Sequence, residues 1–241
     1  MLRHLFGEPR RVDDGLLLDA SRAIETYLEH LSKRSPQEPR ENVKTGRLRL
    51  LSKGLGRALD ELEQSIFCAA RYGEGVGKRF VEEMTEEERD SYHRHIYFYK
   101  NAFIRLFAIL DKIGYFLNEL FELETEKVKE RFSYFTVLRT MHQRGVGAPL
   151  EQTLFEMKQQ YKPQMQRLRN QRNMEIHWLN ADLLDDLMRT MEARQTREKR
   201  THVENIEDNM ADLQAAYEMT CKVVTSVFTY IVGHDRGKSG R

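Results

Sequence analysis

"YHRHIYFYKNAFIRLFAILDKIGYFLNELFEL", residues 92–123, decides the fold. Apolar and aromatic side chains recur in it at three- and four-residue steps without a proline. Upstream, Thr85 and Glu88 have the spacing of a capping box, so the stretch predicts one long amphipathic helix that starts near Thr85. Phe98, Phe103, Phe107, Tyr115, Phe116 and Phe121 are expected in its core, with a share of this face available for pairing to a second copy. Nothing in the stretch calls for a cofactor.

The flanking sequence repeats the helical period. "DDGLLLDASRAIETYLEHLSK" (13–33) places Leu17, Ala20, Ile24, Leu28 and Leu31 on one face, a first helix that ends near Lys33, and "RSPQEP" (34–39) breaks it. A second helix is expected from about Asn42 to Tyr72. Its Gly54 and Gly56 suggest close approach of a neighbour, and "GEGVG" (73–77) suggests a flexible turn after it. "ETEKVKERFSYFTVLRTMHQRGVGAP" (124–149) reads as a connector with a short helix closed by Gly145 and Gly147. Pro149 suits the first turn of a fifth helix, expected to run to about Trp178 with a bend at Pro163. Asn180 is a candidate N-cap for "ADLLDDLMRTMEA" (181–193), "RQTREKR" (194–200) reads as a solvated loop, and "HVENIEDNMADLQAAYEMTCKVVTSVFTYIV" (202–232) is expected to form the last helix. With five prolines and no hairpin signal in 241 residues, the class is all-α: a helical bundle of about five to seven helices with two long central ones.

Composition bounds the function. Charged residues make up 32% of the chain but nearly cancel, 39 basic against 38 acidic, so no global field draws it to nucleic acid or an anionic membrane. Affinity for phosphate has to be local. Cys68 and Cys221, both within apolar-periodic stretches, predict buried thiols in a reducing compartment and exclude a disulfide framework or a zinc cluster. The chain has no run of about 18 apolar residues and no signal-peptide pattern, so a soluble cytoplasmic protein is expected, with no membrane association.

The local phosphate site is sought in "RLRNQRNMEIHWLN", residues 167–180, at the expected end of the fifth helix. At about 100° per residue, Arg169, Asn173 and His177 form one slowly drifting stripe. Arg172 and His177 lie five apart, about 140° round the helix, so they meet on one small group only if the arginine bends over, the helix end loosens, or a second chain supplies a partner. These residue types suit RNA cleavage without a metal or other cofactor. Histidine titrates near neutrality and can move a proton. Arginine can hold two phosphate oxygens as charge builds. Asn173 can orient the imidazole or donate to phosphate. A helix C-terminus favours a protonated imidazole, which suits a general acid. Lys162, Arg167 and Arg169 are the expected contacts to the RNA backbone.

Arg-to-His spacings of six and five residues also occur at Arg89 to His95 and at Arg197 to His202, and His93 with His95 could be read as a metal pair. The metal pair fails on geometry, because residues two apart on a helix point about 160° from each other. No metal ligand set is assigned.

With its polar follower and helical setting, "RNMEIH" (172–177) resembles the Arg-polar-His motif of the HEPN superfamily, and "LFAILDKIGYFLNELFEL" resembles the core helix that precedes it. The likeness covers roughly residues 45–232. With the N-terminal helix and the Gly- and charge-rich tail "GHDRGKSGR", the expected organisation is an N-terminal helical extension (1–44), a HEPN-like domain (45–232) and a disordered tail (233–241). The likeness implies a metal-independent endoribonuclease in which Arg172, Asn173 and His177 act, dimerising so that two motifs share a cleft, in toxin–antitoxin, phage-defence or RNA-processing systems. RNA, a second copy and an antitoxin protein are the implied partners; the alternative is a non-catalytic binding module. Where one branch carries a tyrosine two residues beyond the motif histidine, this chain has Leu179, so regulation by modification of that tyrosine is not carried over.

Overall fold

The computed structural model describes residues 2–33, 39–177 and 201–239, with backbone alone at 40, 177 and 235–239. The fold is all-α, with seven α-helices and no strand among the described residues. They are α1 (Gly15–Lys33), α2 (Pro39–Gly73), α3 (Glu86–Phe121), α4 (Tyr134–Arg144), α5 (Ala148–Gln160), α6 (Lys162–His177) and α7 (Ile206–Ser239). Three of them are long, α2, α3 and α7 at 35, 36 and 34 residues. The last continues to Ser239, into the segment whose composition suggests disorder. The expected Asn180 cap, the 181–193 helix, the 194–200 loop, Trp178 and Arg197 lie outside the described residues. No helix among those described is long and apolar enough to cross a membrane.

The chain forms two compact units. The second unit, residues 11–61, 105–161 and 217–241, is centred on an aromatic trio. Tyr27 of α1 meets Phe116 of α3 at 5.7 Å and Phe228 of α7 at 5.2 Å, and the two phenylalanines are 5.1 Å apart. Tyr27, not Leu28, occupies the inner stripe of α1, because Leu17, Ala20, Ile24, Tyr27 and Leu31 alternate strictly between steps of three and four and Leu28 falls to the flank. Gly145 closes α4 with φ at +63°, the left-handed conformation that glycine adopts without a Cβ penalty, as its placement predicts. Pro149 sits in the first turn of α5 as expected. Tyr161 then interrupts the chain, so the predicted bend is a break: α5 ends at Gln160 and Pro163 lies in the first turn of a new helix, where its missing N–H costs nothing.

The first unit, residues 1–10, 62–104 and 162–216, contains α6 with the adjoining parts of α2, α3 and α7. Met84, Tyr92 and Ile96 form one part of its core, covered by Val76, Val81, Val203 and Ile206. Leu168 of α6 and Leu213 of α7 are fully buried. The Glu88 N–H donates to Thr85 Oγ1 at 3.2 Å, the expected cap, while the Glu88 carboxylate accepts the N–H groups of Gly77 and Lys78 at 2.7 and 2.8 Å. The turn after α2 is thereby tied down, and the Gly77 bond leads in holding the Glu88 carboxyl below its usual pKa. Residues 79–81 and 201–203 pair in antiparallel fashion around one bridge, Phe80 to His202.

Of the six aromatic residues expected in the α3 core, Phe103, Phe107 and Phe116 are buried, Phe98 and Phe121 are half-buried, and Tyr115 is 48% exposed. Tyr92 and Tyr99 take inward positions instead. The glycine expectation also changes place. No atom lies within 4 Å of a Cβ built on Gly54 or Gly56, whereas one on Gly114 would stand 2.9 Å from the Cα of Tyr134. Helix propensity favours alanine over glycine by about 1 kcal/mol, so Gly54→Ala is expected to raise the melting temperature. Gly114→Ala is expected to lower it, since the clash is with backbone and overpacking costs about 1–3 kcal/mol. Thermal melts of the two variants check both signs.

Candidate functional site

α6 carries the motif, and its sequence explains how it seats. Met165 and Leu168 are its buried apolar residues. From Arg169 to Ile176 no side chain is a buried hydrophobic, so polar contacts hold the second half of the helix. Three of them repeat at four-residue spacing, one face of a helix. Arg167 makes a two-pronged pair with Asp212 of α7, Nε and Nη2 each 2.5 Å from a carboxylate oxygen. Gln171 accepts the Tyr99 hydroxyl at 2.6 Å and donates to Asn209 of α7 at 3.0 Å. Glu175 pairs with Lys100 of α3 at 3.2 Å.

The middle rung continues past Asn209. Asn209 Nδ2 donates to Glu204 at 3.2 Å, so donors run from Tyr99 through Gln171 and Asn209 to a carboxylate, which fixes the orientation of both amides. Burial and the charge of Glu204 push the Tyr99 hydroxyl pKa far up, so it stays a donor.

Arg172 is half-buried and its Nη2 donates to Asn173 Oδ1 at 2.9 Å, so these two are joined directly. His177 is on the same helix, which remains α-helical from Lys162 through it, and so lies about 140° from Arg172. Arg169 is half-buried, and Lys162 is exposed at the start of the helix. Arg167 is 58% exposed but already carries the Asp212 carboxylate, so any phosphate it met would compete with that charge.

The rival motifs are placed too. His95 is fully buried, its Nδ1 2.8 Å from the Ala69 carbonyl and its ring stacked on Tyr99 at 6.0 Å, while Arg89 is exposed. This pair is core and surface and forms no site. The His202 ring packs on Phe80 at 4.5 Å. Both cysteines are free and buried, burial pushing Cys68 up to about 11 and Cys221 up to about 12, so neither is a ready nucleophile. A cleft of about 690 Å³ lined by Glu41, Lys44, Arg47, Glu119, Glu122 and Glu124 belongs to the second unit and holds none of the motif residues.

Sequence reading missed Tyr99, Lys100, Asn209 and the ties made by Gln171 and Glu175. A signal existed: Leu168, Gln171 and Glu175 continue the three-and-four step of an inward face with polar residues, a pattern that demands buried partners.

An all-α chain with an Arg-Asn-x3-His motif on an internal helix is the architecture of a HEPN protein, and the comparison with family models agrees. The Cthe2314-like HEPN model matches residues 51–232, and the chain belongs to that family. No curated protein and no solved structure matches it.

Burial lowers the His95 pKa, so the folded protein resists protonating it. The unfolded chain binds that proton near pH 6.5 and the folded chain only at lower pH, so stability is lost as pH falls through the interval between the two values. Wild type is expected to melt progressively earlier below about pH 6.5, and His95→Gln to flatten that part of the profile. Parallel profiles for the two proteins would count against it.

Proposed function

We propose that the protein is a metal-independent endoribonuclease of HEPN type, acting as a toxin or defence effector. The observation that carries this reading is the Arg172–Asn173 contact on a continuous helix that reaches His177, inside the region matched by the family model.

In the proposed reaction a ribose 2′-oxygen attacks the adjacent phosphorus, the new P–O bond forms as the P–O5′ bond breaks, and a 2′,3′-cyclic phosphate remains. The proton of the 2′-hydroxyl leaves to a base while the departing 5′-oxygen takes one from His177. Arg172 stabilises the charge on the phosphoryl oxygens, and Asn173 holds the guanidinium in place from one side. Regular helix through His177 keeps the two residues on different faces, which favours a cleft completed by the motif of a second copy; a homodimer is therefore part of the reading. An antitoxin protein would hold such an enzyme in check. Lys162 and Arg169 are the proposed RNA-backbone contacts, with Arg167 contributing less because Asp212 neutralises it.

A non-catalytic RNA- or protein-binding module is the second reading, favoured by the near-cancelling charge and by the Arg167–Asp212 pair. Cleavage separates the two. Purified protein with mixed RNA in EDTA is expected to give fragments ending in cyclic phosphate, with His177→Ala or Arg172→Ala slower by about 10²–10⁴-fold. Undiminished cleavage by His177→Ala would overturn the assignment. Lys162→Ala and Arg169→Ala are each expected to reduce the salt dependence of RNA binding by about one phosphate contact, measured as the slope of log affinity against log salt.

A further inference from the structure

We propose that Lys100 is a positioning residue for the motif: its ammonium, seated on Glu175, fixes the rotation of the last turns of α6 and with them Arg172 and His177. The catalytic consequence rests on the ribonuclease reading above; the structural one does not.

Exposed ion pairs of this kind contribute little, because water and salt screen them. Lys100 and Glu175 are only 14% and 15% exposed, so their attraction is less screened than that of a surface pair. Their place in the helix gives the pair its role. Glu175 stands three residues after Arg172 and two before His177. Beyond Leu168 no fully buried apolar side chain anchors this part of α6, so its setting depends on the polar rungs. The Arg167–Asp212 rung lies more than a turn before Arg172, and the Gln171 rung precedes it by one residue. Lys100–Glu175 is the rung that lies within the motif itself. A rotation of α6 by one residue, about 100°, would break all three rungs, so the ladder admits one setting of the catalytic pair.

Lys100 is a positioning and not a catalytic residue because it acts on Glu175, and its test uses two readouts on the full chain. Lys100→Met is expected to raise amide hydrogen exchange across 169–177 about tenfold and to lower kcat about 10- to 100-fold, with KM unchanged. Lys100→Arg, which keeps the charge, should restore most of both. Glu175→Gln, nearly isosteric, should behave as Lys100→Met does and carries the same test if Lys100→Met fails to fold.

Unchanged exchange at 169–177 in Lys100→Met or Glu175→Gln overturns the proposal. Raised exchange with unaltered kcat overturns it as well, and so does a raised KM at unaltered kcat, which would make Lys100 an RNA contact. Raised exchange in a chain whose wild type cleaves no RNA upholds the structural anchoring and removes the ribonuclease reading instead.

Discussion

The inner stripe of α3 is the constraint from which the rest follows. Tyr92, Ile96, Tyr99, Phe103, Leu106, Leu110, Ile113 and Leu117 alternate between steps of four and three and are all buried. Each contributes on the order of 1.5–3 kcal/mol when fully removed from water, an upper bound given residual burial in the unfolded chain. No alternative secondary structure keeps that set on one side: read as a strand, the same residues would fall on both faces. Where neighbours crowd this helix closely, the sequence supplies glycine, as Gly114 does beneath the backbone of Tyr134.

α3 also presents polar groups at the flank of the stripe, and these set α6. Tyr99 is inside the stripe through its ring yet offers its hydroxyl to Gln171, and Lys100, next along the chain, meets Glu175. An apolar contact tolerates sliding and rotation over a few degrees; a hydrogen bond weakens steeply with misalignment. Holding the motif helix with polar rungs therefore trades some stability, since each buried polar group is desolvated, for a defined rotational setting. Under the proposed ribonuclease reading, in which the arginine and histidine of α6 meet a phosphate in a fixed orientation, the second property matters more than the first.

What was legible in the sequence, and what was not, divides along the same line. Apolar periodicity located α1 and α3 closely, because burial of hydrocarbon depends on phase along one helix, which one sequence contains. Gly145 and Pro149 marked real boundaries for the same reason: φ preference and a missing N–H are local properties. The break at Tyr161 was read as a bend at Pro163, since a proline announces an interruption but not its extent. At the candidate site the motif could be read, and its supports could not. Arg167 looked like any cation until Asp212, 45 residues on, was brought to it. The partners of Gln171 lie at positions 99 and 209, distances over which no periodicity carries information. His95 follows an arginine by six residues and so also offered a motif, and its burial against the Ala69 carbonyl, which no spacing announces, removes it.

The five-residue spacing of the motif is awkward for a single helix. If α6 unwound near Arg172, one copy could fold its arginine and histidine onto the same phosphate. The Gln171 and Glu175 rungs flank Arg172 on either side and oppose such unwinding, since both need helical spacing to reach their partners on α3. The Arg172–Asn173 bond acts in the same sense by occupying the guanidinium along its own helix. On the proposed reading, positions 172 and 177, about 140° apart round one rigid helix, are two halves of a site that one chain does not bring together. In the proposed homodimer two such helices facing each other would place one chain's arginine beside the other's histidine, and the rigidity that separates the pair within one chain would align it between chains.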